Sequence, residues 1–161
     1  MTARFGIGFD AHRLVEGRRL VLGGVEIAHD RGLEGHSDAD VLVHAVIDAL
    51  LGAAGLGDIG LHFPDDDERW RDADSLDLLR RVSGLLDDGG LTVVHVDATV
   101  LAEAPKVSPH RDAMRAALAD ALGIEDGAVN VKATRGEGMG FVGRQEGIAA
   151  LAVATVEDAV V

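Results

Sequence analysis

Residues 36–55 read HSDADVLVHAVIDALLGAAG. Val41, Leu42, Ala45, Val46, Ala49 and Leu50 recur at the spacing of one helical face, which predicts a helix running to about Ala54. Ser37 is the expected N-cap, with Asp40 three residues on in capping-box spacing. Gly55 and Gly57 are natural stops. Toward the N-terminus, residues 4–10 read as a strand and residues 19–28 as one or two more around Gly23-Gly24. Toward the C-terminus, residues 55–71 are rich in Gly, Asp and Pro and read as a loop. A second helix is expected from about Ser75, with Leu76, Leu79, Val82, Leu85 and Leu86 as its stripe and Gly89-Gly90 as its end. Residues 91–101 form a long predicted strand with Val94, Val96, Ala98 and Val100 on one face. Ser108 caps a third expected helix, with Pro109 at its first position and Gly123 at its end. A short strand over 129–134, a Gly-rich loop over 135–143 and a final apolar helix over 145–160 complete the reading.

Strands and helices mix without strict alternation. The expected class is α+β: a two-layer sandwich in one domain over residues 1–161, with a mixed sheet and the helices on one of its faces. The other face needs cover, and an oligomer is the simplest source. Hydrophobic residues make up 47% of the 161, enough for a real core. No apolar run reaches the roughly 18 to 20 residues a bilayer span needs. Residues 1–10 lack the basic and apolar regions of a signal peptide, so a cytoplasmic protein is expected. The absence of Cys excludes disulfides and thiolate metal sites. Fifteen basic against 28 acidic residues give a net charge of −13, which argues against nucleic-acid and anionic-membrane partners. A phosphate can bind only where a metal or local cations reverse that field. The only lysines are Lys106 and Lys132.

Asp10-Ala11-His12 places a carboxylate and an imidazole two residues apart, on the same side of a strand. Such a pair can share a metal, and a catalytic zinc usually takes three protein ligands and keeps an open position. The third ligand comes from His36 or His44; His44, rooted in a helix, is the more rigid of the two. His36 and Ser37 stand before a helix N-terminus, where free amides and the helix dipole favour an anion. Asp38 and Asp40 beside a phosphate must face away or orient metal ligands. Asp58, between Gly57 and Ile59-Gly60, suits sugar hydroxyls, and Asp65 to Asp67 read as a solvated turn. Glu103-Ala104-Pro105-Lys106 suits the reading of a base edge and a phosphate. Thr134 to Gly138 resembles a phosphate-facing loop, with Glu137 suited to a hard cation and Arg144 nearby. Jointly these segments fit phosphoryl transfer.

The series GFDAH (8–12), HSDADV (36–41), DALLGA (48–53), GDIG (57–60), FPD (63–65), APK (104–106), VKAT (131–134) and GFVGR (140–144) resembles the 2-C-methyl-D-erythritol 2,4-cyclodiphosphate synthase family along essentially the whole chain. The resemblance implies a homotrimer with active sites at subunit interfaces, and zinc held by Asp10, His12 and His44. It implies substrate contacts from His36 and Ser37, with His36 aiding the transition state. Asp58, Ile59 and Gly60 would bind the methylerythritol, bordered by Phe63, Asp65 and Asp67. Ala102, Ala104, Pro105, Lys106, Val107 and Ser108 would hold the cytidine from a neighbouring subunit. Ala133, Thr134 and Arg135 would face the phosphates, and Glu137 would hold Mg²⁺ or Mn²⁺. An isoprenoid diphosphate can occupy a central cavity near Phe9, Phe141 and Arg144. The family usually has a Thr credited with transition-state stabilisation where this chain has Arg135. Either Arg135 brings charge to the phosphates or Thr134 takes the missing role. Replacing Arg135 with Ala is expected to lower turnover more than cation affinity; steady-state rates beside a zinc titration check this, and an unchanged rate removes Arg135 from the mechanism.

Overall fold

In a computed structural model of the chain, which describes residues 2–160, helix α1 spans Val41–Ala54 and its N-cap is Asp40. Asp40 Oδ1 accepts the Val43 amide at 3.1 Å. Ser37, the expected cap, instead accepts the Ala39 amide and faces His44. Asp40 wins because its carboxylate ties down more than the helix. It also takes the Gly23 amide at 2.9 Å and the Gly24 amide at 2.7 Å. Those glycines make the turn between β2 (Leu20–Leu22) and β3 (Val25–Ile27). Burial and the neighbouring Asp38 push the Asp40 pKa up to about 6, against the pull of the three amides.

The main sheet is mixed, in the order β4-β1-β7-β5-β6. Its strands are β1 (Ala3–Glu16), β4 (Arg31–Leu33), β5 (Leu91–Leu101), β6 (Val129–Thr134) and β7 (Gly147–Asp158). Only β5 and β6 run parallel. Helices α1, α3 (Ser75–Asp88) and α4 (Arg111–Leu122) cover one face. Strand alternation sends Val96, Ala98, Val100, Ala150, Ala152, Ala154 and Val156 into the core beneath them. The opposite face shows Phe5, Ile7, Phe9, Leu151 and Val153, with Phe5 at 69% and Ile7 at 72% exposure. No helix among the described residues is long and apolar enough to cross a membrane.

The register of α1 on the sheet is set by missing side chains. A β-carbon at Gly6 would overlap the Ala49 carbonyl, and one at Gly8 the Ala45 carbonyl. Across the ladder Gly6 pairs with Ala154 and Gly8 with Ala152, so the floor under the helix is small-residue throughout. The helix therefore lies almost on the backbone of β1.

The reading of residues 145–160 as a helix is corrected: they form β7, which pairs with both β1 and β5. Alanine favours helices only weakly, and tertiary context overrides that preference. Here alternate alanines supply the small floor for α1, while Leu151 and Val153 point outward. Smaller differences have local causes. The first strand continues past Asp10 to Glu16 and gains β4 as a partner. A register shift between Val93 and His95 turns Val94 outward, away from Val96. Pro109 sits in a 3-10 turn, Ser108–His110, and α4 begins only at Arg111. The two Gly-rich loops contain short helical turns, α2 (Ile59–His62) and α5 (Gly140–Gly143).

Gly8→Ala is expected to lower stability by about 3 kcal/mol through overpacking. Urea unfolding measures the loss; a stability equal to wild type would mean that the helix does not sit this close.

Candidate metal centre

Along β1, Gly8, Asp10 and His12 point to the helix side. Because α1 passes directly over Gly8, His44 on its first turn arrives beside Asp10. His44 Nδ1 lies 3.1 Å and His12 Nε2 2.9 Å from Asp10 Oδ2. One ligand atom from each of the three residues falls within 4.8 Å of the others, the only such cluster among the described residues.

The hydrogen bonds around this cluster leave lone pairs aimed inward. His12 Nδ1 is 2.8 Å from the Glu34 carbonyl. A carbonyl only accepts, so Nδ1 donates and Nε2 keeps its lone pair. Nε2 is buried without a hydrogen-bond partner. Its separation from Asp10 is that of a hydrogen bond but its direction is not, so the contact is electrostatic. A buried imidazole lone pair beside a carboxylate is costly unless a cation sits between them, and one carboxylate plus two imidazoles is a donor set suited to a divalent metal. Burial pushes the Asp10 carboxyl up, but contacts with His12 and then His44 outweigh it and hold its pKa at about 2. In return, burial pulls His12 down, and Asp10 more than offsets this, raising it above 6.5.

The cluster opens on a cleft of about 570 Å³ lined by His36, Ser37, Ile59, Gly60, Phe63, Pro64, Asp65, Asp66 and Trp70 as well as the three putting their ligand atoms together. Phe63 and Trp70 form an apolar wall, edge to face with centroids 5.0 Å apart. His36 Nε2 donates to the Asp67 carbonyl at 2.9 Å. Its loop is laced to the start of α3 by Asp38 N–H on Ala73 O and Asp72 N–H on His36 O. Asp58 caps α2 by accepting the Leu61 amide at 3.0 Å. The Asp67 carboxylate turns to Arg69, 2.7 Å away.

A family model described as the YgbB family matches residues 3–157. The chain belongs to the YgbB family. A 2-C-methyl-D-erythritol 2,4-cyclodiphosphate synthase of Salinibacter ruber is 62% identical over 156 residues, covering 97% of this chain and 99% of its own. One of Symbiobacterium thermophilum is 63% identical over 94% of this chain and 96% of its own. A solved 2C-methyl-D-erythritol-2,4-cyclodiphosphate synthase with CDP bound superposes with a TM-score of 0.88 at 37% identity, over 96% of this chain and all (100%) of that one. The bifunctional IspDF of Campylobacter jejuni gives a TM-score of 0.93 at 41% identity over 96% of this chain and 42% of its own.

Within this YgbB-family chain the remaining expected site residues form a second group. Ala102 to Ser108 follow β5, and Ala133 to Glu137 close β6. Leu101 pairs with Thr134, so the two loops are neighbours. Glu103 joins them, accepting Arg135 at 2.9 Å and the Gly136 amide at 3.0 Å. Glu137 is exposed with φ of 53°, and Arg144 pairs with Glu146. Thr134, Leu101, Ala149 and Ala11 lie in one row across the sheet. Two strand spacings, about 10 Å, therefore separate the 102–108 loop from β1, which carries Asp10 and His12, and three, about 14 Å, separate the 133–137 loop from it. One chain places both groups at the same end of the sheet but does not bring them together.

Sequence reasoning missed Ser75, whose Oγ lies 2.8 Å from His44 Nε2, the Glu34 carbonyl, and Trp70. Ser75 looks like an ordinary helix start, and a backbone carbonyl leaves no mark in the sequence. Trp70, the sole tryptophan in a chain with 3% aromatics, was a readable signal.

A cation must displace any proton from His12 Nε2, and that proton is held above the ordinary 6.5. Affinity for Zn²⁺ is therefore expected to fall as pH drops, starting at a higher pH than an ordinary imidazole would set, and to keep falling as the solution becomes more acidic. Asp10 stays ionised throughout. Competition titrations across pH check this; a flat profile would exclude His12 as a ligand.

Proposed function

We propose that the chain converts 4-diphosphocytidyl-2-C-methyl-D-erythritol 2-phosphate into 2-C-methyl-D-erythritol 2,4-cyclodiphosphate and CMP, a step of the non-mevalonate route to isoprenoids. The observation that carries this is the convergence of Asp10, His12 and His44 on the lining of the cleft, in a chain that relatives bearing the synthase name match over 97% and 94% of its length. An oxygen of the 2-phosphate attacks the β-phosphorus. The bond from β-phosphorus to the bridging oxygen breaks, CMP leaves with that oxygen, and no water is consumed. The nucleophile is already an anion, so no strong base is required. The barrier is repulsion between anions and the entropy of ring closure.

Asp10, His12 and His44 would hold zinc, and Glu137 would hold Mg²⁺ or Mn²⁺; when bound, such cations would supply neutralisation of the phosphate charge. The chain's own groups position the rest. His36 uses Nε2 on the Asp67 carbonyl, so its other ring nitrogen is left for substrate. Ser37 lines the cleft beside it. Ile59, Gly60 and the Phe63–Trp70 wall suit a small branched polyol and keep water out, with Asp65 in the lining for hydroxyls; Asp58, next to Ile59, would add a second carboxylate. Thr134 and Arg135 would contact the phosphates, with Ala133 behind them. Ala102, Ala104, Pro105, Lys106, Val107 and Ser108 would hold the cytidine.

The gap of about 10 to 14 Å between the two groups is bridged, on this reading, by a second copy of the chain. The exposed apolar face of Phe5, Ile7, Phe9, Leu151 and Val153 is the surface that a homotrimer would bury. The same axis, near Phe9, Phe141 and Arg144, would accept an isoprenoid diphosphate.

Incubation with the cytidine substrate, Zn²⁺ and Mg²⁺, followed by phosphorus NMR, is expected to give equimolar CMP and cyclic diphosphate. A linear product with water taken up would make the chain a hydrolase. Substrate binding without CMP release would make it a binding protein.

A further inference from the structure

The outer nitrogen of His44 is enclosed by two hydroxyls whose orientation can be worked out. The Asp38 carboxylate accepts the Ser75 amide at 3.0 Å and, through its other oxygen, the Ser75 hydroxyl. A carboxylate can only accept, so the Ser75 hydrogen points at Asp38. The Ser75 oxygen then turns its lone pairs to His44 Nε2, 2.8 Å away. Ser37 Oγ, 3.2 Å from the same nitrogen, already accepts the Ala39 amide. Both Ser37 and Ser75 are buried. With Ser75 turned in this way, Nε2 must carry a ring hydrogen. Nδ1, 3.1 Å from the Asp10 carboxylate, is then the nitrogen whose hydrogen a cation displaces on binding.

We propose that Asp38 and Ser75 are positioning residues for the cation site: they keep a ring hydrogen of His44 on Nε2 and thereby make Nδ1 the nitrogen that a metal takes. The inference rests on the cation reading above. Ser75 alone is not sufficient, because a hydroxyl can donate as well as accept. Asp38 fixes its direction. Without the carboxylate, Ser75 is free to donate to Nε2, which drives the ring hydrogen onto Nδ1, where the cation should sit. Asp38 lies two residues from His36 and one from Ser37, so the segment facing the substrate is also the one that prepares the metal ligand.

The order of effects separates this role from simple packing. Asp38→Ala leaves a hydroxyl pointing the wrong way and should harm zinc affinity more than Ser75→Ala, which leaves only a missing partner. In the double variant the Ser75 hydroxyl that could be misdirected is gone, and the Ser37 hydroxyl is the same in every variant, so its loss should match that of Ser75→Ala alone. The test uses full-length protein labelled with ¹⁵N, with imidazole nitrogen spectra recorded after chelator treatment and zinc affinity then measured against a chromophoric chelator. Wild type is expected to show Nε2–H at His44. Asp38→Ala should shift toward Nδ1–H with at least about a tenfold loss of zinc affinity. The proposal is overturned if Asp38→Ala keeps the wild-type tautomer and affinity, or if the two losses simply add. Should Asp38→Ala not fold, Ser75→Ala decides alone, since unchanged spectrum and affinity there also overturn it. Wild type that binds no zinc sinks the cation reading itself, whereas zinc binding that survives in every variant sinks only the relay.

Discussion

The contact on which the molecule depends is the near-touching of α1 and β1 at Gly6 and Gly8. Neither position has room for a β-carbon. A helix at an ordinary distance from a sheet would leave its side chains too far away to share an atom-sized site with a strand. Here the helix axis is drawn down, and His44 meets Asp10 and His12. The alternate alanines of β7 belong to the same constraint, since a larger residue at Ala152 or Ala154 would lift the helix from the side. Core packing and ligand geometry are thus one feature.

The start of α1 handles a second problem, that of negative charge near an expected phosphate. Asp38 and Asp40 both stand there in a chain of net charge −13. Asp40 is buried behind the helix and closes on three backbone amides, joining the helix to the β2–β3 turn. Asp38 turns to the first residue of α3. Neither carboxylate lines the cleft. They hold the loop in shape from behind, and it presents only His36 and Ser37 to the front.

The sheet order explains why one chain carries two separate groups of site residues. β7 and β5 lie between β1, which holds Asp10 and His12 of the candidate metal cluster, and β6, which leads into the 133–137 loop. No side chain spans that distance. The groups share one end of the sheet because β1, β5 and β6 run the same way.

By itself the sequence determined most of the elements and the chemistry. Periodicity marked α1, α3 and β5, glycines marked their ends, and the strand spacing of Asp10 and His12 announced a metal pair. These signals are local, fixed by the chain's own repeat. It left His36 and His44 open as the third ligand and misread β7 as a helix, because an alanine-rich stretch has no conformational preference strong enough to decide. Only the tertiary structure brings His44, and not His36, up to Asp10 and His12, and only it makes the last stretch a strand. Steric contact with Gly6 and Gly8 decides where α1 lies, pairing on two sides makes β7 a strand, and the roles of Ser75, Asp38 and the Glu34 carbonyl exist only once distant segments share a hydrogen.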